Sequence, residues 1–244
     1  MITSIQNNQV KNWAKLHRRK YRRETGTFLI EGFHLVEEVF KSDWKVLQVI
    51  IEEGNDLPDY IDPSLVVTVS SKVFTYLSKT ETPQGIMAVV ERKLFEKAVG
   101  EKILLIDRIQ DPGNLGTIIR TAVAAGFDRI VLGGGTVDCF NDKVLRATQG
   151  AIFHIPITEG ELTEVIAQLK RENYTIVASA LEDSIFFDEV NELSNFALIL
   201  GNEGSGISKD ILALADLRVK IPLYGKVESL NVSVAAGILM YTLK

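Results

Sequence analysis

From Lys102 to the C-terminus, short apolar runs alternate with stretches of helical period, and this alternation narrows the possible folds more than any other feature of the chain. KILLID (102–107), RIVL (129–132), FHIPI (153–157), TIVASA (175–180), FALILG (196–201) and LRVKIP (217–222) read as strands. Most are too uniformly apolar to keep one face in water. Between them the pattern predicts helices at 115–126, 141–148, 161–171, near 207–215 and at 231–243. Strands buried on both faces and joined through helices predict a mostly parallel sheet with helices on both sides.

The first 94 residues have a different texture. A helix is predicted over 7–20, with Val10, Trp13, Ala14 and His17 forming a buried stripe and Lys11, Lys15, Arg18 and Arg22 on another face. Strand-like TFLI (27–30), a helix after Gly32 carrying Leu35, Val36, Val39 and Phe40, VLQVIIE (46–52), LVVTV (65–69), a short helix for which Ser70 is the cap candidate, and IMAVVE (86–91) follow. These elements predict a small α/β domain over 1–94. Charged RKLFEKAVGE (92–101) reads as a linker, and a second domain spans 102–244.

With 46% hydrophobic residues the 244-residue chain has material for real cores, and no apolar stretch reaches the length of a membrane span. The first residues, MITSIQNNQVK, carry no apolar signal-peptide core, so a cytoplasmic location is expected. A single cysteine, Cys139, and three histidines, His17, His34 and His154, offer no zinc spacing, and no metal is expected. A net charge of −5 argues against coating nucleic acid by bulk electrostatics, but the charge is unevenly spread. Residues 1–94 hold 13 Lys/Arg against 12 Asp/Glu, and residues 95–244 hold 14 against 20. The run from Lys11 to Arg23 contains seven Lys/Arg and no acid, which reads either as a solvated helix face or as a phosphate-contacting surface for RNA.

Ligands of open α/β sheets collect beyond the carboxyl ends of the strands, and three loops there stand out. DRIQDPGNLGTIIRTA (107–122) is either a plain strand-to-helix turn with a surface arginine or an anion site with Asn114 and Arg120 as its polar groups. LILGNEGSGIS (198–208) has Gly201, Gly204 and Gly206 with the carboxylate of Glu203. It matches neither a Walker A loop nor the dinucleotide fingerprint, and it reads as a structural turn or as a backbone ligand site. IPLYGKVESLNVSVAAG (221–237) places Ser229 and Asn231 before a helix, with Ser229 the N-cap candidate.

In this order and spacing the three loops closely resemble the three motifs of the SpoU/TrmH RNA 2′-O-methyltransferases of the SPOUT superfamily, and RRKYRRETGTFLIEG (18–32) with TPQGIMAVV (82–90) resembles the substrate-binding domain common in that family. The resemblance implies a small N-terminal α/β RNA-binding domain followed by a mostly parallel α/β SPOUT domain with a C-terminal trefoil knot, working as a homodimer. It implies S-adenosyl-L-methionine as cofactor, held by Gly201, Ile221 and Leu230, and methyl transfer to a ribose 2′-hydroxyl, with ribosomal RNA favoured over tRNA. Asn114, Arg120, Glu203, Ser229 and Asn231 match the family's catalytic positions, with Glu203 expected to orient Arg120 or a partner subunit. Guanidinium deprotonation is so costly that Arg120 is read as a phosphate clamp and alkoxide stabiliser, not as a base. Lys11, Arg18, Arg19, Arg22 and Arg23 are the expected RNA contacts. The rivals are a non-catalytic RNA-binding protein that retains the cofactor fold and a base-methylating SPOUT enzyme.

Overall fold

A computed structural model of the chain describes residues 1–95 and 100–243, so linker residues 96–99 lie outside the described residues. The chain divides into two compact units, Met1–Leu94 with Phe140–Phe153, and Phe95–Cys139 with His154–Lys244.

The first unit contains α1 (Asn8–Lys15), α2 (Arg19–Thr25), β1 (Thr27–Glu31), α3 (Phe33–Phe40), β2 (Val46–Glu52), β3 (Val66–Val69), α4 (Ser71–Leu77) and β4 (Ile86–Glu91). Its sheet has the order β1-β4-β2-β3, with β4 antiparallel to both neighbours and β2 parallel to β3. The first five residues of IMAVVE are all buried because β4 is an interior strand. Val10, Trp13 and Leu16 close one face of the sheet together with Val73, Phe74 and Leu77. Ser70 occupies the N-cap position of α4, yet its hydroxyl is buried without a hydrogen-bond partner and does not cap.

The helix expected over 7–20 is two helices. The chain is extended at Arg18, and the guanidinium of Arg22 donates to the carbonyl of Leu16 at 2.7 Å, satisfying an acceptor that a continuous helix would have used. Arg22 is consequently 3% exposed and absent from the basic surface on which it was expected, whereas Lys11, Arg18, Arg19 and Arg23 remain exposed.

The second unit contains β5 (Lys102–Ile106), α5 (Pro112–Ala124) and β6 (Arg129–Leu132). After α6 (Asp142–Thr148) come β7 (Ile157–Glu159), α7 (Leu162–Arg171), β8 (Thr175–Ser179), β9 (Ile185–Phe186), β10 (Phe196–Leu200), α8 (Lys209–Leu212), β11 (Leu217–Lys220) and α9 (Val232–Thr242). Helix α6 packs within the first unit, although its sequence lies in the expected second domain. Phe140 meets Phe28 at 4.5 Å between ring centroids, and Trp44 donates its indole N–H to the Phe153 carbonyl. Asp142 accepts from Nδ1 of His17 at 3.1 Å, while Nε2 of the same ring lies 2.8 Å from the Leu77 carbonyl.

The seven strands of the second unit are parallel, in the order β7-β6-β5-β10-β8-β11-β9. Strand β10 lies between β5 and β8, and all five of its residues are buried. The predicted strand 153–157 is instead a 3-10 turn over Ala151–His154 followed by β7. Proline has no N–H to give a ladder, and Pro156 contributes only its carbonyl, which accepts from Ile130 N. The helix expected near 207–215 is only the single turn of α8.

Candidate active site

Helix α5 begins three residues earlier than its apolar period suggests. Asp111 is the N-cap, accepting from Asn114 N at 2.8 Å, and Pro112 follows inside the first turn, where a missing N–H costs nothing. The anion drawn to this turn belongs to the protein itself. Glu203 Oε1 accepts from Asp111 N at 3.1 Å, and Oε2 accepts from Gln110 N at 3.3 Å.

Glu203 also ends a directed chain of side chains. Asn231 is the N-cap of α9, with Oδ1 accepting from Ser233 N, so its Nδ2 faces Asn114 Oδ1 and donates at 3.0 Å. Asn114 then turns its own Nδ2 to Glu203 Oε1 at 3.1 Å, and the ionised carboxylate can only accept. All three loops singled out in the sequence therefore meet in one hydrogen-bonded line. Burial pushes the Glu203 carboxyl up, but its own main-chain N–H, Asn114 and the amides of Asp111 and Gln110 together outweigh that and hold it below the usual glutamate range. A carboxylate already engaged by several donors and acidified by them is a brace and a poor proton acceptor. Glu203 braces the 110–114 turn and makes no hydrogen bond or ion pair to Arg120 within the chain, contrary to one of its expected roles.

Arg120 is the ninth residue of α5, about two-thirds of a turn around the axis from Asn114. It is exposed and makes no hydrogen bond or ion pair among the described residues. Ser229 is likewise exposed and unpaired, and the N-cap role expected for it falls to Asn231, the residue immediately before α9.

The loop after β10 is closed by Asn202, which sequence reading passed over. Main-chain bonds join Asn202 and Gly206 in both directions, and Asn202 Oδ1 accepts from Gly204 N and Ser205 N. Its Nδ2 donates to the Arg108 carbonyl at 2.8 Å. Asp107, 5% exposed at the end of β5, accepts from Ser208 N at 2.6 Å. An asparagine between two glycines and a carboxylate ending an apolar strand are the local signals for these two braces.

The main chain from Ile221 to Leu230 makes no main-chain hydrogen bond among the described residues, although Ile221, Leu223 and Leu230 are half-buried. Backbone donors and acceptors left open beside apolar side chains can take an adenine edge and its apolar face. This segment fits a nucleoside cofactor through Ile221 and Leu230. Gly201 fits less directly, because the space its side chain would fill belongs to the backbone of Gly206 and Ile207.

Glu203→Gln is expected to release the 110–114 turn, since the new amide would turn one N–H toward the donors that now meet the carboxylate. Because folding lowers the Glu203 pKa, its stabilising contribution is complete at neutral pH and disappears only as pH falls through the depressed folded value. Hydrogen exchange at Gln110 and Asp111, compared between wild type and variant, reads the loss directly. Equal protection at neutral pH would show that the brace is dispensable.

Residues 101–241 match the family model described as the SpoU rRNA Methylase family, and residues 7–88 match the MRM3-like substrate binding domain. The chain is 46% identical to the 23S rRNA (guanosine(2553)-2′-O)-methyltransferase RlmP of Bacillus subtilis (strain 168), covering 100% of this chain and 98% of that one. The AdoMet-bound rRNA methyltransferase from Sinorhizobium meliloti superposes with a TM-score of 0.86 at 31% identity, covering 99% of this chain and 95% of the other. An RNA 2′-O ribose methyltransferase superposes at 0.84 with 32% identity, over 99% and 96% of the two chains. With three motifs converging on one site and relatives matching along its whole length, the chain belongs to the SpoU rRNA methylase family.

Proposed function

We propose that this protein methylates the ribose 2′-oxygen of a guanosine in 23S ribosomal RNA, acting as a cytoplasmic homodimer. The observation that carries the reading is the Asn231–Asn114–Glu203 line, which joins the segment fitted for the cofactor to the helix that bears an unpaired arginine. The family sets the reaction class, S-adenosylmethionine-dependent methylation of an RNA ribose. The near full-length likeness to the Bacillus enzyme supports the guanosine target.

S-adenosylmethionine supplies an electrophilic methyl group on a sulfonium sulfur. Ile221 and Leu230 hold it with unpaired main chain and apolar side chains. Arg120 binds the phosphate beside the target ribose and stabilises the negative charge that grows on the 2′-oxygen as its proton leaves. Asn114, fixed at both ends of its amide, keeps the start of α5 in register, and Ser229 offers a free hydroxyl to the ribose. Most of the acceleration in this scheme comes from positioning.

Helix α9 supports the dimer. Ala236, Leu239 and Met240 are buried, yet Val234 and Tyr241, 51% and 57% exposed, form a second apolar stripe on the same helix. A helix apolar on both sides needs a second covering, and a further copy of the chain provides it. Sedimentation at micromolar concentration should give twice the chain mass.

The exposed cations Lys11, Arg18, Arg19 and Arg23 are the proposed phosphate contacts of the first unit. Changing all four to Gln should flatten the dependence of log K on log salt by up to about four units of slope while S-adenosylmethionine binding is unchanged. An unchanged slope removes them from the interface.

The reaction is tested with tritiated methyl donor on unmodified 23S RNA. Label in an alkali-resistant dinucleotide containing guanosine is expected, because a 2′-O-methyl group blocks cleavage of the adjacent phosphodiester. Label released in a mononucleotide, or no transfer to any RNA, overturns the proposal.

A further inference from the structure

The first unit holds a polar cleft enclosing about 150 Å³, lined on one side by the turn into α3 and on another by residues of α6 and its end. Pockets that engulf whole drug-sized ligands run to roughly 300 Å³ or more, so this cleft suits one moiety of a larger molecule. Arg146 of α6 lines it, half-buried, and its guanidinium has no ion pair or hydrogen bond among the described residues. The one carboxylate in the lining, Glu31, accepts instead from Ser78 Oγ at 2.6 Å, Thr80 Oγ1 at 2.7 Å and Lys79 N at 3.3 Å. A partly desolvated guanidinium whose neighbouring carboxylate is taken up by other donors has no hydrogen-bonded anion of its own.

The turn into α3 supplies Gly32, His34 and Leu35 to the lining. Gly32, at φ +105°, lets the chain turn sharply into α3, and a side chain there would strike the Gln84 amide, whose Oε1 accepts from Phe33 N. This turn leaves Phe33 and His34 exposed, with His34 in the lining. Gln149, also in the lining, is exposed at the end of α6 and occupies the left-handed region at φ 50°. An unpaired cation, an exposed imidazole and amide groups around a small cleft are the parts that hold a phosphate and its splayed base.

We propose that this cleft is a docking subsite for one unpaired nucleotide of the RNA substrate, with Arg146 on its phosphate and His34 against the base. The proposal rests on the RNA-methylating function above. It assigns part of that recognition to Arg146, which lies outside the segment matching the substrate-binding domain model.

The test measures binding and is independent of catalysis. Arg146→Gln and His34→Ala, prepared in the full chain, are titrated with a 23S RNA fragment containing single-stranded loops and with a fully duplex RNA of equal length. Each variant should weaken the looped RNA about tenfold and the duplex less than twofold, with unchanged melting temperature and S-adenosylmethionine affinity, and Arg146→Lys should recover part of the loss. Equal effects on both RNAs, or none on either, overturn the subsite. If free RNA binds normally but affinity for a protein-containing ribosomal particle falls, the cleft meets protein and the proposal is wrong. A protein that binds RNA with this pattern and transfers no methyl group would refute the function above and leave the subsite standing.

Discussion

Arg120→Ala is expected to lower the rate constant for methyl transfer by about 10²–10³-fold while leaving S-adenosylmethionine affinity and thermal stability unchanged. The size follows from removing one preorganised charge at a developing oxyanion. The selectivity follows from the structure, because Arg120 is exposed and makes no hydrogen bond or ion pair among the described residues. Single-turnover kinetics with saturating RNA separates the chemical step from RNA binding, which should weaken modestly through the lost phosphate contact. Arg120→Lys keeps the charge and loses the planar fork, so only a fraction of the rate should return. A loss below threefold in the alanine variant would move the stabilising charge elsewhere. Recovery of activity on raising pH in the lysine variant would point to proton removal at this position and against an electrostatic clamp.

The second large effect is expected at Gly201. A Cβ there would lie 2.3 Å from Ile207 N and 2.4 Å from the carbonyl carbon of Gly206, both backbone atoms of the loop that Asn202 and Gly206 tie shut. No rotamer change relieves that overlap, so the loop must open or β10 must shift. Gly201→Ala should cost about 2–4 kcal/mol, lower the melting temperature by several degrees, and weaken S-adenosylmethionine binding even where the protein stays folded. Gly204→Ala is the control. Its added methyl meets only Asn202 Oδ1 at 3.7 Å, an ordinary contact, and little change in stability is expected. Similar behaviour of the two variants would show that the loop yields more easily than its backbone contacts suggest.

The contrast between these two glycines shows where sequence reading stops. Both stand in LILGNEGSGIS and both suggested backbone approaching a ligand, yet at Gly201 the backbone that approaches is the loop's own. The strands IMAVVE and RIVL were legible to the residue, because the positions buried on both faces are all apolar and a single charged residue marks one end of each. The start of α5 was misplaced because its first turn is defined by Asp111 and Pro112, which carry no apolar period. FHIPI was misread because its apolar residues are buried in a turn, and composition does not distinguish turn burial from strand burial.

The sequence by itself determined the two-part α/β character, the near-continuous parallel strands and the identity of the three loops, all of which are written in local burial and turn chemistry. The tertiary structure decided which groups satisfy one another. Glu203 turned to the amides before α5 and away from any bond with Arg120, Arg22 left the basic face to take the Leu16 carbonyl, Asn231 displaced Ser229 as the cap of α9, and residues 140–153 joined the first unit. Each outcome depends on a donor meeting an acceptor or an aromatic ring meeting its partner, in several cases across many tens of residues. Periodicity records which faces are buried and carries no label for the partner that buries them.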